Sequence, residues 1–257
     1  MKILANDGIS KSGQTALEIK GFTVDTTHVA QEQLVNYINQ NNIEVLLVRS
    51  ATKVRQDLID QTNLKIIGRG GVGMDNIDVD YARNNGILVI NTPASSSASV
   101  AEFVFAHLFG IVRNLHQANR TMPLEGDSNF NGLKKAYAKA FELRGKTLGV
   151  IGFGRIGQEV IKVALGLGMN VKVFDTEPTT KTIELDFFDG QKLSFDITST
   201  TIEDVIENAN FITIHVPSQK GYILGTNEFA KMKDGVVIIN TARGGVIDEK
   251  ALVDAIE

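Results

Sequence analysis

Short apolar runs alternate with segments of helical periodicity along the first part of the chain. Four helices are predicted, near residues 12–18, 29–40, 54–61 and 78–85. Five apolar runs around and between them predict buried strands at residues 3–5, 22–24, 45–48, 64–67 and 87–90. Buried strands joined by helices of crossover length are typical of a parallel α/β sheet. Residues 1–98 are therefore predicted to form one α/β domain.

The alternation restarts after a loop at residues 92–99, whose proline and serines suit the start of a helix. A helix is predicted at 99–119, and residues 121–144 are expected to be irregular. Further strands are predicted at 147–151, 171–174, 211–214 and 236–239, with helices near 155–167, 201–208 and 226–231. Asp189-Gly190, between two alternating segments, predicts a hairpin inserted in the parallel pattern. The fold class is thus α/β with two doubly wound parallel-sheet domains, 1–98 and 99–257.

Composition narrows the function classes. A chain of 257 residues can bury two cores. Its net charge of −4 argues against binding to nucleic acid or to an anionic membrane, because both need a basic surface. The absence of cysteine excludes disulfides, thiolate metal sites and a cysteine nucleophile, and no metal is predicted. No stretch approaches 18 apolar residues and no leader pattern is evident, so a cytoplasmic protein is expected.

The strongest motif is Gly152-x-Gly154-x-x-Gly157, which follows an apolar strand and opens a helix. The first glycine permits a tight turn, the second lets a pyrophosphate approach the backbone, and the third lets helix and strand pack closely. Asp175 ends the next strand at the spacing expected for the carboxylate that binds the adenosine ribose. Because that acid repels a 2′-phosphate, the motif predicts NAD rather than NADP. The alternative is a glycine turn that serves packing alone.

Three arginines follow predicted strands. Arg243 comes after the 236–239 strand among small residues, at the sheet edge where ligands of open α/β sheets bind. There its guanidinium could hold a carboxylate beside the cofactor. Arg49 and Arg69 follow two strands of the first domain, and the glycine-rich backbone of residues 70–73 could complete an anion site with them. The alternative for each arginine is a solvated surface position.

Four stretches carry a resemblance to a known family, namely LLVRSATKV, IIGRGGVGMDNIDVDYA, GKTLGVIGFGRIGQEV and NTARGGVIDEKAL. The chain resembles the D-2-hydroxyacid dehydrogenases from about residue 2 to its end. The resemblance implies a flavodoxin-like substrate-binding domain followed by a Rossmann NAD-binding domain. The implied activity is NAD-dependent oxidation of D-3-phosphoglycerate to 3-phosphohydroxypyruvate by hydride transfer, a step of phosphorylated L-serine biosynthesis.

The resemblance also assigns site residues. Arg243 would be catalytic, because it would bind the substrate carboxylate and polarise the C2 oxygen. The substrate-binding positions would be Arg49, Ser50, Arg69, Gly70, Gly71 and Ser96, where Ser96 stands at a position that is asparagine in many relatives. The cofactor-binding positions would be Val72, Gly152, Gly154, Arg155, Ile156, Gly157, Asp175, His215, Val216, Pro217, Thr241, Ala242 and Arg243.

The family also uses a histidine acid/base oriented by a glutamate. None of His28, His107, His116 and His215 stands in the matching motif. In relatives of the family both groups come after the arginine, so the resemblance implies that they follow residue 257 and that this chain is part of a longer dehydrogenase. A homodimer formed through the NAD-binding domain, around the predicted 99–119 helix, is also expected. Two alternatives stay open: a dehydrogenase for another D-2-hydroxy acid such as glycerate, and a non-catalytic NAD-binding regulator.

Overall fold

The computed structural model describes residues 1–257, which divide into two compact units, Met1–Ser96 and Ser97–Glu257. The first unit has five strands: β1 (Lys2–Ala5), β2 (Thr23–Asp25), β3 (Val45–Val48), β4 (Ile66–Arg69) and β5 (Leu88–Asn91). All pair in parallel in the order β2-β1-β3-β4-β5. This is the flavodoxin-like order, so the predicted fold of the first domain is confirmed.

Four helices accompany these strands: α1 (Lys11–Ile19), α2 (Leu34–Gln40), α3 (Gln56–Asp60) and α4 (Val79–Asn84). The start of α1 is set by Ser10, whose hydroxyl accepts the Gly13 N–H at 3.1 Å. A short 3-10 turn, Gln31–Gln33, leads into α2, so the predicted 29–40 helix is α-helical only in its second half. The apolar faces of α2, α3 and α4 pack on the sheet, and Leu34, Ile38, Leu46, Leu58 and Ile67 are fully buried there.

The second unit opens with two helices, α5 (Ser97–Val112) and α6 (Leu115–Ala136), followed by a 3-10 turn at Tyr137–Lys139. The predictions of one helix over 99–119 and of irregular structure over 121–144 are therefore wrong. Asn114 takes the left-handed conformation, φ 53° and ψ 32°, which ends the first helix. The glycines and the proline of α6 lowered its helical signal, yet it continues, bending only at Asn129.

The remaining elements of this unit form a second α/β set. Its strands are β6 (Thr147–Ile151), β7 (Asn170–Phe174), β8 (Thr180–Asp186), β9 (Lys192–Thr198), β10 (Phe211–Ile214) and β11 (Val237–Asn240). Its helices are α7 (Arg155–Gly166), α8 (Ile202–Asn208), α9 (Thr226–Phe229) and α10 (Glu249–Ile256). The main sheet is parallel in the order β11-β10-β6-β7. With β6 counted as the first strand, this is the inner part of the doubly wound nucleotide-binding order.

β8 and β9 form a separate antiparallel sheet in which Thr180 pairs with Thr198 and Asp186 with Lys192. The predicted hairpin around Asp189-Gly190 is confirmed, and Gly190 takes the positive φ of 85° that such a turn requires. Ile183 on β8 is buried in the same core as helix α7, so the hairpin packs on the body of the unit. Just after β9, Thr200 forms a parallel bridge with Phe174 and extends the sheet beyond β7.

No single helix is long and apolar enough to cross a membrane. The helices Ser97–Val112 and Leu115–Lys139, bent by 53°, meet the length and hydropathy requirement only as a pair.

Candidate nucleotide and anion sites

The register of the second sheet brings four chain segments to one edge. Phe174 lies opposite Ile151, Ile151 opposite Ile214, and Ile214 opposite Asn240. Because all four strands run in parallel, the residue that follows each of these emerges at the same carboxyl edge. That edge therefore carries Asp175, Gly152, His215 and Thr241, all of which are predicted cofactor positions.

The three motif glycines have three different reasons to lack a side chain. Gly152 has φ 102°, and a Cβ there would lie 2.5 Å from the His215 carbonyl oxygen. A Cβ on Gly157 would lie 2.1 Å from the Gly152 carbonyl oxygen, so this glycine lets α7 pack against the loop. A Cβ on Gly154 would meet no atom within 4 Å, so this position faces open space.

That open space lies at the N-terminus of α7, for which Gly154 is the capping residue and Arg155 and Ile156 are the first two helical residues. The free N–H groups and positive dipole end of a helix suit a phosphate anion. The glycine cradle thus has the shape and the polarity that a dinucleotide pyrophosphate requires, and the residues present fit NAD.

Asp175 fixes the conformation of the glycine loop. Its Oδ2 accepts the Phe153 N–H at 2.7 Å, and Phe153 stands between the first two glycines of the motif. The Asp175 side chain is half-buried, so part of the carboxylate stays accessible at the sheet edge. Its contact with the adenosine ribose stays a prediction.

His215 and Val216 lie directly against the loop, while Pro217 after them is exposed. The His215 N–H donates to Ile151 O at 2.7 Å, and its Nε2 lies 2.9 Å from the Thr213 hydroxyl. Burial lowers the pKa of His215 to about 4. The imidazole is therefore neutral at physiological pH, which agrees with a cofactor-side role and not with that of a general base.

The turn that holds Arg243 is organised by Asn240, the last residue of β11. The Asn240 side chain accepts the Ala242 N–H at 3.0 Å and donates to Arg243 O at 2.8 Å. The Arg243 guanidinium donates through Nη1 to Ala242 O at 2.8 Å and is half-buried. The Thr241 hydroxyl is buried without a hydrogen-bond partner in the protein, so it is a group that a bound ligand can satisfy.

The first unit has a cavity of about 670 Å³ at the carboxyl edge of its sheet. Arg49, Arg69 and Gly70, three of the predicted substrate positions, line it together with Asp7, Ser10, Asn91 and Thr92. Ser50, Gly71, Val72 and Ser96 do not lie on its wall. Two guanidinium groups make this cavity suitable for a small anionic ligand.

Asp7 holds the loop that carries Arg49. Its carboxylate accepts the backbone N–H of Arg49 at 2.6 Å and of Thr52 at 3.1 Å, and the Thr52 hydroxyl at 2.6 Å. Burial alone would raise the pKa of Asp7, but the hydrogen bonds from Thr52 and Arg49 outweigh it and hold the pKa below its usual value. Asp7 is therefore ionised, and both of its oxygens bind this loop.

Asn76 joins the two arginine loops. Its Oδ1 accepts the Arg69 Nε–H at 3.2 Å, and its Nδ2 donates to Arg49 O at 2.9 Å and to Thr52 O at 2.7 Å. Gly71 leaves room for the same guanidinium, because a Cβ there would lie 2.1 Å from Arg69 Nη1. The arginines are thus held by a network of side-chain and backbone contacts before any ligand binds.

Asp7, Asn76 and Asn240 were not among the predicted site residues. Asp7 and Asn76 lie in loops and Asn240 ends a strand, and Asn76 and Asn240 stand inside stretches that carry the family resemblance. Asparagine and aspartate at such positions commonly bind nearby backbone groups. That property is the signal in the sequence that could have pointed to these residues. It does not identify the partners of Asp7 and Asn76, because those partners lie far away along the chain.

A parallel sheet with a glycine loop, a helix N-terminus and a carboxylate at one edge defines a dinucleotide-binding domain. Residues 105–257 match the family described as D-isomer specific 2-hydroxyacid dehydrogenase, NAD binding domain. The chain belongs to this family. NAD is thereby confirmed as the cofactor, and the predicted resemblance is confirmed with it.

The chain is similar to several characterised proteins. It is 38% identical over 259 residues to the hydroxypyruvate reductase of Thermotoga maritima, covering 99% of this chain and 78% of that protein. It is 40% identical over 263 residues to the D-3-phosphoglycerate dehydrogenase of Bacillus subtilis, covering 100% of this chain but 46% of that protein. The chain thus spans about half the length of this phosphoglycerate dehydrogenase.

Among solved structures, the D-lactate dehydrogenase of Aquifex aeolicus in complex with NAD and lactic acid superposes with a TM-score of 0.69 at 29% identity. The alignment covers 100% of this chain and 73% of that one. The likeness extends over both units, so the fold class is confirmed for the chain as a whole.

Proposed function

We propose that the protein carrying these residues catalyses the NAD-dependent oxidation of D-3-phosphoglycerate to 3-phosphohydroxypyruvate. The observation that carries this proposal is the pair of arginines, Arg49 and Arg69, fixed at one cavity of the first unit. A substrate with both a carboxylate and a phosphate has two anionic groups to bind. Similarity to the phosphoglycerate dehydrogenase of Bacillus subtilis supports the same substrate.

In this proposal, the first unit binds substrate. Arg49 and Arg69 hold its anionic groups through charge-assisted hydrogen bonds, which are the strongest kind available to a phosphate. Gly70 lines the cavity beside them, Gly71 leaves room for the Arg69 guanidinium, and Ser50 and Ser96 serve as further polar contacts. The network through Asp7 and Asn76 holds the Arg49 backbone and the Arg69 side chain in place, so less side-chain entropy of Arg69 is lost on binding.

The second unit holds the cofactor and the catalytic arginine. Gly152, Gly154 and the first turn of α7, with Arg155 and Ile156, bind the pyrophosphate, and Asp175 binds the adenosine ribose. His215, Val216, Pro217, Thr241 and Ala242 form the rest of the nucleotide pocket, and Val72 of the first unit is a further cofactor contact. When bound, NAD supplies the hydride acceptor. Arg243 binds the substrate carboxylate and polarises the oxygen on C2, which stabilises negative charge as it develops.

A second substrate is favoured by one comparison. The relative from Thermotoga maritima is named a hydroxypyruvate reductase, and the chain covers most of its length. Glycerate and hydroxypyruvate lack the phosphate, so one of the two arginines would then have no anionic partner. Desolvating an unpaired guanidinium is unfavourable, and for that reason the phosphorylated substrate is preferred.

The substrate proposal is tested by following NADH formation with D-3-phosphoglycerate and with D-glycerate. We expect kcat/KM to be at least about 100-fold higher for the phosphorylated acid. Arg49→Gln and Arg69→Gln should each lower that preference by about 10- to 100-fold. Arg83→Gln, at an exposed position of α4, is the matched control and should leave it unchanged.

Equal kcat/KM values for the two acids would contradict the phosphoglycerate proposal and favour the unphosphorylated substrate. Tight NADH binding without turnover of any 2-hydroxy acid would instead favour the non-catalytic NAD-binding regulator.

A homodimer through the NAD-binding unit is also proposed. Helix α5 leaves Phe103, His107 and Ile111 exposed at successive four-residue spacings, which places them on one face. Leu115 and Leu124 on α6 are exposed as well, the latter at 85%. Apolar side chains concentrated on two helices are typical of an interface, and a second copy of the chain can cover them.

A further inference from the structure

The β8–β9 hairpin has no part in the site described so far, although it begins only five residues after Asp175. Its β8 strand packs on α7, the helix whose N-terminus faces the predicted pyrophosphate site. Ile183 on β8 is 1% exposed, which fixes the strand against the body of the unit. Lys181, two residues before Ile183, lies on the same face of the strand.

Lys181 contacts the glycine loop directly. Its Nζ donates to the Phe153 carbonyl oxygen at 2.5 Å and lies 4.8 Å from the centre of the Phe153 ring. Phe153 is fully buried and stands between Gly152 and Gly154. A lysine from the hairpin is therefore held at the centre of the nucleotide-binding motif, although 28 residues separate it from Phe153 along the chain.

The backbone of Phe153 is bound by a group of opposite charge on each side, namely Asp175 at its N–H and Lys181 at its carbonyl. The Phe153 N–H binds Asp175 Oδ2 at 2.7 Å, and the Phe153 carbonyl binds Lys181. Covalent geometry then limits the distance between the ammonium nitrogen and the Asp175 carboxylate to about 9 Å. At this distance the Lys181 ammonium can interact electrostatically with a charged group that Asp175 faces. Both side chains are only half-buried, so such a group can approach them.

We propose that Lys181 is a specificity-determining residue at the adenosine end of the NAD site. The proposal rests on the proposed contact of Asp175 with the adenosine ribose. Asp175 repels a phosphate on the ribose 2′-oxygen, whereas the Lys181 ammonium attracts it. The lysine offsets part of that repulsion, so the site discriminates less strongly against NADP than a carboxylate alone would.

The test measures dissociation constants for NADH and NADPH by fluorescence titration of the wild type and of variants. Lys181→Met should raise the Kd for NADPH about tenfold more than the Kd for NADH, the effect of one cation several ångströms from a phosphate. Lys181→Arg should restore the wild-type ratio. Raising the salt concentration should reduce the effect, because a half-exposed charge is screened.

Lys192→Met is the matched control. Lys192 lies on the same hairpin but pairs with Asp186 at 2.8 Å. Its substitution should leave the Kd for NADH and the Kd for NADPH unchanged. Equal weakening of NADH and NADPH by Lys181→Met would overturn the proposal and leave the lysine as an anchor of the loop alone. Unchanged constants would overturn it as well.

The site assignment is tested separately by Asp175→Asn, which should lower the Kd for NADPH relative to that for NADH. A normal response to Asp175→Asn with no change of ratio in Lys181→Met refutes the role of the lysine alone. No response to Asp175→Asn refutes the ribose assignment, and the Lys181 proposal falls with it.

Discussion

Replacing Gly157 by alanine tests the packing of α7 on the glycine loop. The added Cβ would lie 2.1 Å from the Gly152 carbonyl oxygen and 3.4 Å from Val150 Cγ1. The clash is with backbone, so α7 has to move outward by about 1 Å. Such overpacking costs about 1–3 kcal/mol, and the better helix propensity of alanine offsets up to about 1 kcal/mol of it.

We therefore expect the free energy of unfolding to fall by about 1–2 kcal/mol, which corresponds to a Tm lower by about 2–8 °C. The displaced helix N-terminus also loses its alignment with the pyrophosphate, so the Kd for NADH should rise at least about tenfold. Both quantities are measured on the same preparation, by denaturant titration and by quenching or enhancement of NADH fluorescence.

Gly166→Ala is the matched control, because Gly166 ends the same helix and a Cβ there would meet no atom within 4 Å. It should leave NADH binding unchanged and stabilise the protein by at most about 1 kcal/mol. The reasoning is refuted if Gly157→Ala has the stability and the NADH affinity of the wild type.

Three further predictions follow from the two sites and the exposed helix face. Asn76→Ala removes the link between the arginine loops and should raise the Kd for D-3-phosphoglycerate several-fold. The Kd for NADH, measured by calorimetry in the same way, should not change. An equal change in both constants would contradict this prediction. Because the pKa of His215 is about 4 when folded and about 6.5 when unfolded, the neutral ring contributes stability above pH 6.5 that is lost as the pH falls towards 4. His215→Gln should thus reduce the loss of unfolding free energy between pH 7 and pH 4.5 by about 2 kcal/mol in urea titrations, whereas an unchanged loss would show that the ring is not held neutral. Ile111→Arg, on the exposed face of α5, should disrupt the proposed dimer and give a monomer in sedimentation experiments. A variant that still sediments as a dimer would exclude this face from the interface.

The parallel sheets could be predicted from sequence because their strands are short, apolar and separated by helical segments. The roles of Gly152 and Gly157 could also be predicted, since they depend on a turn and a helix that follow each other directly in the chain. In both cases the signal lies in neighbouring residues of the chain. What the structure adds is the strand pairing that places these residues at one edge of the sheet.

The parts that could not be predicted depend on single residues in unusual conformations or on distant contacts. Asn114 ends α5 by adopting a left-handed conformation, and a residue other than glycine gives little warning of this. The contact of Asn76 with the Arg49 loop and that of Lys181 with Phe153 join residues more than 20 positions apart. Such contacts have no periodic signal in the sequence.

In the proposed function, the glycine loop holds NAD through its open face at Gly154. Gly154 has φ −73° and ψ −168°, a conformation that alanine also adopts, and an added Cβ would meet no protein atom within 4 Å. Gly154→Ala should therefore keep the wild-type Tm, while its methyl group enters the space of the pyrophosphate. The most direct measurement is an NADH titration of this variant: we expect the Kd to rise at least about tenfold at unchanged Tm. A wild-type Kd for NADH would contradict the assignment of the cofactor to this loop.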